Sequence, residues 1–225
     1  MSDLARRPDM YAPFPLMDRF HWIALGVLFL AVVLASFNPL DKTGYLMHQT
    51  GTVIGVGLLC WLTQLGKVSK GSFALAIGFI LIHVLGAHYL YSFVPYNDWF
   101  KAIGYDLDKT MGWSRNMYDR LVHISYGLLL YPMIADVFGT WFPTAKRGRI
   151  ALLAIQFIMA SSLVYELIEW LIAIGMSPED AENYNGQQGD QWDAHKDMAL
   201  ATLGGVITWL IERVITVSNQ STVKR

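Results

Sequence analysis

The chain has 225 residues, 54% of them hydrophobic and 16% charged, with a formal net charge of −1. An average soluble domain carries roughly 25% charged residues, so a wholly water-facing surface is excluded. The near-neutral balance also excludes a global field that would gather nucleic acid. The single cysteine, Cys60, excludes an intramolecular disulfide and reads as a packed small side chain among apolar neighbours.

Taken in chain order, residues 1–20 are too polar for a cleavable signal peptide and read as a cytoplasmic N-terminal segment. The first apolar segment, 21–37, is short and leans on Phe20 and an interfacial His21-Trp22 pair. The second, 45–65, is the weakest and carries Gly51, Gly55 and Gly57. Glycines are tolerated in membrane helices, and these are expected to allow close helix packing. A third segment covers 72–93, a fourth 121–142 and a fifth 150–176. Asn38-Pro39, Lys67 to Gly71, Val94-Pro95 and Pro143 to Gly148 punctuate them. Ser177-Pro178-Glu179-Asp180 resembles a helix start with Ser177 as N-cap and Pro178 in the first turn, which predicts a short helix outside the membrane. The sixth segment is 198–217, followed by a tail at 218–225.

Each segment approaches the roughly 20 residues needed to cross a bilayer. The fold class is therefore an all-α polytopic membrane bundle of about six transmembrane helices over 21–217. Lysines and arginines set the orientation. With six spans and a cytoplasmic N-terminus, 11 lie inside and 6 outside, the outer set being Lys42, Lys101, Lys109, Arg115, Arg120 and Lys196. Both termini are predicted to be cytoplasmic.

On this topology four segments bring acids and histidines to the outer face. His88 lies toward the outer end of the third span, and Asp119 and His123 at the start of the fourth. Glu166 and Glu169 sit in the outer part of the fifth, and Asp190, Asp193, His195 and Asp197 open the sixth. Asp119 and His123 are four residues apart, as are Asp193 and Asp197, and Glu166 and Glu169 are three apart. Each pair shares a helix face. Two adjacent carboxylates in an apolar helix need either a shared proton or a cation between them. The bland readings are Asp119 as a first-turn residue favoured by the helix dipole, His123 as a satisfied core histidine, Asp190 as an N-cap and His83 as structural. The stretch from Gly186 to Gly189 reads as a tight turn presenting Asp190, and Asp136 as interfacial.

The strings Gly86-Ala87-His88-Tyr89 through Val94-Pro95-Tyr96, Arg115-Asn116-Met117-Tyr118-Asp119-Arg120-Leu121-Val122-His123, Tyr165-Glu166-Leu167-Ile168-Glu169-Trp170 and Gly189-Asp190-Gln191-Trp192-Asp193-Ala194-His195-Lys196-Asp197-Met198 resemble those of the YjdF-like predicted inner-membrane proteins, a family of unknown function. The family is similar in broad outline to VanZ-like membrane proteins. The resemblance covers roughly residues 20–215 and implies a multi-pass protein of the bacterial inner membrane. It implies no reaction and no ligand set. His195 departs from the Thr-Gln type of residue in that stretch, which ranks it low as a ligand.

The leading functional expectation is a divalent-metal site at the periplasmic face. Its ligands are drawn from Asp119, His123, Glu166, Glu169, Asp193 and Asp197, with His88 as an addition. An oxygen-rich set with imidazole suits Zn, Mn, Fe or Mg. Glu166 or Glu169, left unliganded, is the expected catalytic base of a metal-dependent hydrolase acting on a membrane lipid or lipid-linked small molecule. The rivals are a proton- or cation-coupled transporter, against which stands the lack of an internal repeat, and a non-catalytic protein that binds a lipid or a partner. No nucleic-acid partner is expected, and the sequence fixes no oligomeric state.

Overall fold

In the computed structural model, which describes residues 14–222, the chain is helical throughout and no strand occurs among the described residues. The helices are α1 (Arg19–Ala35), α2 (Lys42–Gln64), α3 (Lys70–His88), α4 (Tyr96–Ala102), α5 (Leu107–Met111), α6 (Tyr118–Trp141), α7 (Arg147–Ile174), α8 (Pro178–Asn185) and α9 (Asp193–Thr222). Residues 1–13 of the expected N-terminal segment and 223–225 of the tail lie outside the described residues, as do Arg6, Arg7, Lys224 and Arg225 of the charge count. The last helix runs past 217 to Thr222, and the short helix expected after Ser177 is α8.

Five helices, α2, α3, α6, α7 and α9, are long and apolar enough to cross a membrane. The first, α1, has 17 residues, short of the roughly 20 that span a bilayer unaided. Its start is nevertheless tightly built. Asp18 accepts a hydrogen bond from the Phe20 N–H at 3.0 Å, and the Asp18 N–H donates to His21 Nδ1 at 3.0 Å. This reciprocal capping box satisfies backbone donors that a helix start leaves open. Lys70 pairs with the same carboxylate. His21 is consequently fully buried, its ring edge-on to Phe73 at 4.7 Å between centroids. That corrects its expected interfacial position: capping draws the ring inward, and only Trp22 faces out.

Hydrogen bonds define the two ends of the bundle. At one end the Phe14 N–H donates to Gly66 O at 2.8 Å. The Asp136 carboxylate accepts from the Ser69 N–H at 3.0 Å and the Ser72 hydroxyl at 2.6 Å. Asp136, near the end of α6, thus caps the first turn of α3. At the other end the Leu40 N–H donates to His88 O at 3.0 Å. There Arg115 donates to Gln187 O at 2.9 Å and Gly186 O at 3.0 Å, and the Asn116 N–H to Gln188 Oε1 at 2.9 Å. This second end carries α4, α5 and α8, with the starts of α6 and α9.

The closest helix pair is α6 with α9. A Cβ on Gly127 would collide with Ala201 O and lie 2.6 Å from Gly205 N, and one on Gly204 would collide with Ile124 O. Small residues let the two backbones meet, and Thr208 donates across the seam to Leu128 O at 2.9 Å. The glycines expected to pack closely, Gly51, Gly55 and Gly57 of α2, do not: a Cβ on any of them would meet nothing within 4 Å. The helix faces that α6 and α9 present are complementary, whereas no neighbour comes within contact distance of these α2 glycines.

After α3 the chain turns back on itself through Leu90 (φ 51°) and Tyr91 (φ 55°). This left-handed backbone is uncommon outside glycine, and it returns the buried Tyr91 ring onto α3.

Candidate functional site

Asn116 sets the start of α6 by accepting the Tyr118 N–H at 3.0 Å. Asp119 then falls in the first turn, where a negative charge is favoured, and His123 follows one turn later on the same face. The Nε2 atom of His123 lies 3.4 Å from Asp119 Oδ1 and 4.0 Å from Asp197 Oδ1, which arrives from α9. On the ring's other side, Nδ1 lies 4.0 Å from Glu166 Oε1 of α7. Asp119, His123 and Asp197 can each offer one ligand atom within 4.8 Å of the others. Asp119 is 7% exposed and Asp197 2%, so neither carboxylate is hydrated from bulk water. Asp119 Oδ2 and Glu166 Oε1 have no hydrogen-bond partner among the described residues.

Beside this cluster stands an arginine clamp. Arg120 contacts the carboxylates of Asp193 and Asp197, lies 3.2 Å from Asp190 Oδ2 and donates to Asp193 O at 3.1 Å. Arg115 adds a bond to Asp193 Oδ1 at 2.9 Å. Asp190 accepts from Lys196 at 2.5 Å and from the Trp192 N–H at 3.0 Å. The Lys196 and Trp192 bonds hold its carboxyl below the usual carboxylate range. The turn expected at 186–189 is formed, with Gly186, Gln188 and Gly189 all at positive φ, and Arg115 and Asn116 clasp it.

Two expected ligands stand apart. Asp193 is spent on the two arginines. His88 Nδ1–H donates to Ala35 O at 2.8 Å and the ring lies edge-on to Tyr89; the end of α3 turns it toward α1 and away from α6. Glu169 lines a cavity together with Asp119 and His123.

That cavity, of about 420 Å³, lies among α2, α3, α6 and α7 with α8 at its polar end. Its apolar portion is walled by Leu59, Ile80, Leu130, Met133, Ile134 and Phe157. At the polar end Tyr91 Oη is 2.5 Å from His83 Nδ1, His83 Nε2 is 3.2 Å from His48 O, and His48 stacks on Tyr184 at 4.6 Å between centroids. Burial pushes the Tyr184 hydroxyl up to about 12.

Sequence reasoning placed Arg115 and Arg120 at the outer face without their aspartate partners and read His83 as structural, and it missed His48, Tyr91 and Tyr184 as members of this end. For Arg120 a signal existed: a cation in the first turn of a helix opposes the dipole and calls for acids from elsewhere. For His48 there was none, since it is an isolated histidine in the weakest apolar segment.

A family described as "Predicted membrane protein (DUF2238)" matches residues 20–217. The chain is also 31% identical, over 181 residues, to the protein named "Inner membrane protein YjdF" of Escherichia coli (strain K12), covering 80% of this chain and 83% of that one. No solved structure matches.

Proposed function

The chain belongs to the DUF2238 family of predicted membrane proteins and is an integral inner-membrane protein, and from that premise we propose that Asp119, His123 and Asp197 hold a divalent metal ion at the periplasmic face, for hydrolysis of a lipid or lipid-linked substrate. The supporting observation is the convergence of one imidazole and two buried carboxylates from α6 and α9 on a single point. Ligands about 2.0–2.2 Å from a tetrahedral zinc ion lie roughly 3.3 Å apart, and the separations of 3.4 and 4.0 Å around His123 Nε2 need only small closure. Glu166 stands on the opposite ring nitrogen, the usual place of a carboxylate that orients a metal-bound histidine.

An oxygen-rich site with one histidine suits Zn, Mn, Fe or Mg. Three protein ligands leave a position open, as hydrolytic centres do. A bound ion would supply an acidified water and polarise the substrate oxygen. Glu169, on the cavity wall, would be the group placed to accept a proton from the attacking water and to return one to the leaving oxygen. Glu166 thereby changes from the expected catalytic group to a positioning residue.

The test is metal analysis of protein purified without chelators. Wild type should carry about one equivalent, as expected for one three-ligand site. Asp119→Asn, His123→Ala and Asp197→Asn should each lose most of it, whereas His88→Ala should keep it. Wild-type protein without any divalent ion would overturn the metal centre and favour proton transfer through the same cluster.

A further inference from the structure

The cavity carries polar atoms that its own walls leave unanswered. His48 Nε2, Thr52 Oγ1, Asp119 Oδ2, Ser162 Oγ and Asn185 Oδ1 are buried and have no hydrogen-bond partner among the described residues, and all five residues line this cavity. His48 and Ser162 are each 3% exposed and Thr52 is 7%. Buried polar groups in folded proteins are almost all bonded. Five orphans from α2, α6, α7 and α8 on one cavity point to a polar group that belongs between them. They comprise an imidazole, two hydroxyls, a carboxylate and an amide oxygen, a set that both donates and accepts.

The charge balance says which polar group. Among the described lining residues none is lysine or arginine, and Arg120 is engaged by Asp190, Asp193 and Asp197. The Asp119 carboxylate lines the same cavity, so an anion there would meet like charge with no lysine or arginine to answer it. A phosphate is disfavoured there, and hydroxyls fit.

The remaining wall is hydrocarbon, and it is open to the side. α2 packs mainly on α3, and α7 on α6, α8 and α9. Leu58 of α2 and Phe157 of α7 both line the cavity and are both half-exposed. Gly51 and Gly55 line it too, and a Cβ on either would meet nothing within 4 Å. The gap between α2 and α7 therefore opens within the span of the helices, where lipid chains lie.

We infer that the cavity binds a neutral amphiphile drawn laterally from the bilayer, with one hydrocarbon chain along Leu59, Ile80, Met133 and Phe157 and a hydroxyl-bearing headgroup, of the monoacylglycerol kind, among His48, Thr52, Ser162, Asn185 and Asp119. As the ligand of the same site, it rests on the proposed centre for what becomes of the headgroup; its binding is measured separately.

The experiment uses the full chain in phosphatidylcholine nanodiscs. A diazirine-bearing monoacylglycerol is photolabelled onto the protein, with 1-monooleoylglycerol or 1-oleoyl-lysophosphatidate as competitor. Labelled peptides and metal content are read from the same samples. Labels should fall within 51–59, 130–134 or 157–162, and monooleoylglycerol should compete better than lysophosphatidate by about tenfold. Gly55→Phe and Gly51→Phe, which fill the open wall, should cut labelling by about tenfold with metal content unchanged. Gly26→Phe, whose Cβ also meets nothing but which lies outside the cavity, should keep both. Labelling elsewhere, lysophosphatidate competing as well or better, or undiminished labelling in both filled variants would overturn the inference. Joint loss of metal and labelling in both filled variants would overturn it too. A metal-free wild type that labels as described sinks the metal centre and leaves the lipid site standing.

Discussion

The α6–α9 seam and the α2 wall are both stretches of membrane helix rich in glycine, and they use it in opposite ways. Across the seam, Gly127, Gly204 and Gly205 bring two backbones so close that any side chain would strike backbone atoms or Ile158. Along the wall, Gly51 and Gly55 face open space inside a cavity. The seam is also pinned at its polar end by Arg120 on the aspartates of α9; α2 has no comparable lock. Glycine in a membrane span therefore marks either a close approach or a deliberate vacancy, and only the neighbour decides which.

Breaking the lock should do the most damage. Arg120→Ala leaves Asp193 and Asp197 buried without their main cation, and removing one member of a buried ion pair costs about 3–5 kcal/mol. Thermal melting of the detergent-solubilised protein should show the loss, and an Asp193→Asn change added to Arg120→Ala should recover part of it. A loss within error of zero would mean that the clamp is solvated and that the seam holds without it.

Overpacking the seam ranks next. Gly127→Leu should destabilise by about 3 kcal/mol, at the upper end of ordinary overpacking, because the obstacle is backbone that cannot rotate away. The same replacement at Gly55 should be tolerated in the melt. Equal losses at the two positions would erase the contrast between them.

Acid should loosen the clasped end in a defined window. The Asp190 carboxyl is held below its ordinary value of 3.8 by Lys196 and the Trp192 N–H. A depressed folded-state value means that its contribution is fully present above that range and is lost as pH falls below about 4 toward the folded value. Asp18, drawn down to about 2 by Lys70 and His21, behaves the same way at the other end of the bundle. Melting temperature against pH should fall less steeply below pH 4 for Asp190→Asn than for wild type, and parallel curves would count against the clasp.

The smallest effect belongs to the wall. Gly51→Ala and Gly55→Ala place a methyl in open space, and a helical alanine is favoured over glycine by roughly 0.5–1 kcal/mol. Both variants should melt at or slightly above wild type. A clear drop at either would mean that α2 packs there after all.

Much of the site was legible because it follows from helical spacing. Asp119 and His123 share a face four residues apart, and Glu166 lies on the neighbouring α7 at the same end; counting spans was enough to bring these to one end. The same counting brought His88 to this end but not its turn toward α1, because span order says which end a residue reaches but not which side of the helix it faces. It also took Arg115 and Arg120 as loop charges, although both fold back onto Asp193.

By itself the sequence determined the membrane class, the approximate course of the long apolar helices and the end at which the acids gather, since these depend on local hydrophobicity and on a period of 3.6 residues that each segment carries within itself. The tertiary structure alone decided that Asp193 is taken up by two arginines, that Asp119 is left facing His123, and that Asp197 lies between Arg120 and His123. It also decided that the glycines of α2 border a cavity while those of α6 and α9 close a seam. Those outcomes depend on the rotation and separation of one helix against another, which arise from packing between segments far apart in the chain and leave no mark on either segment alone.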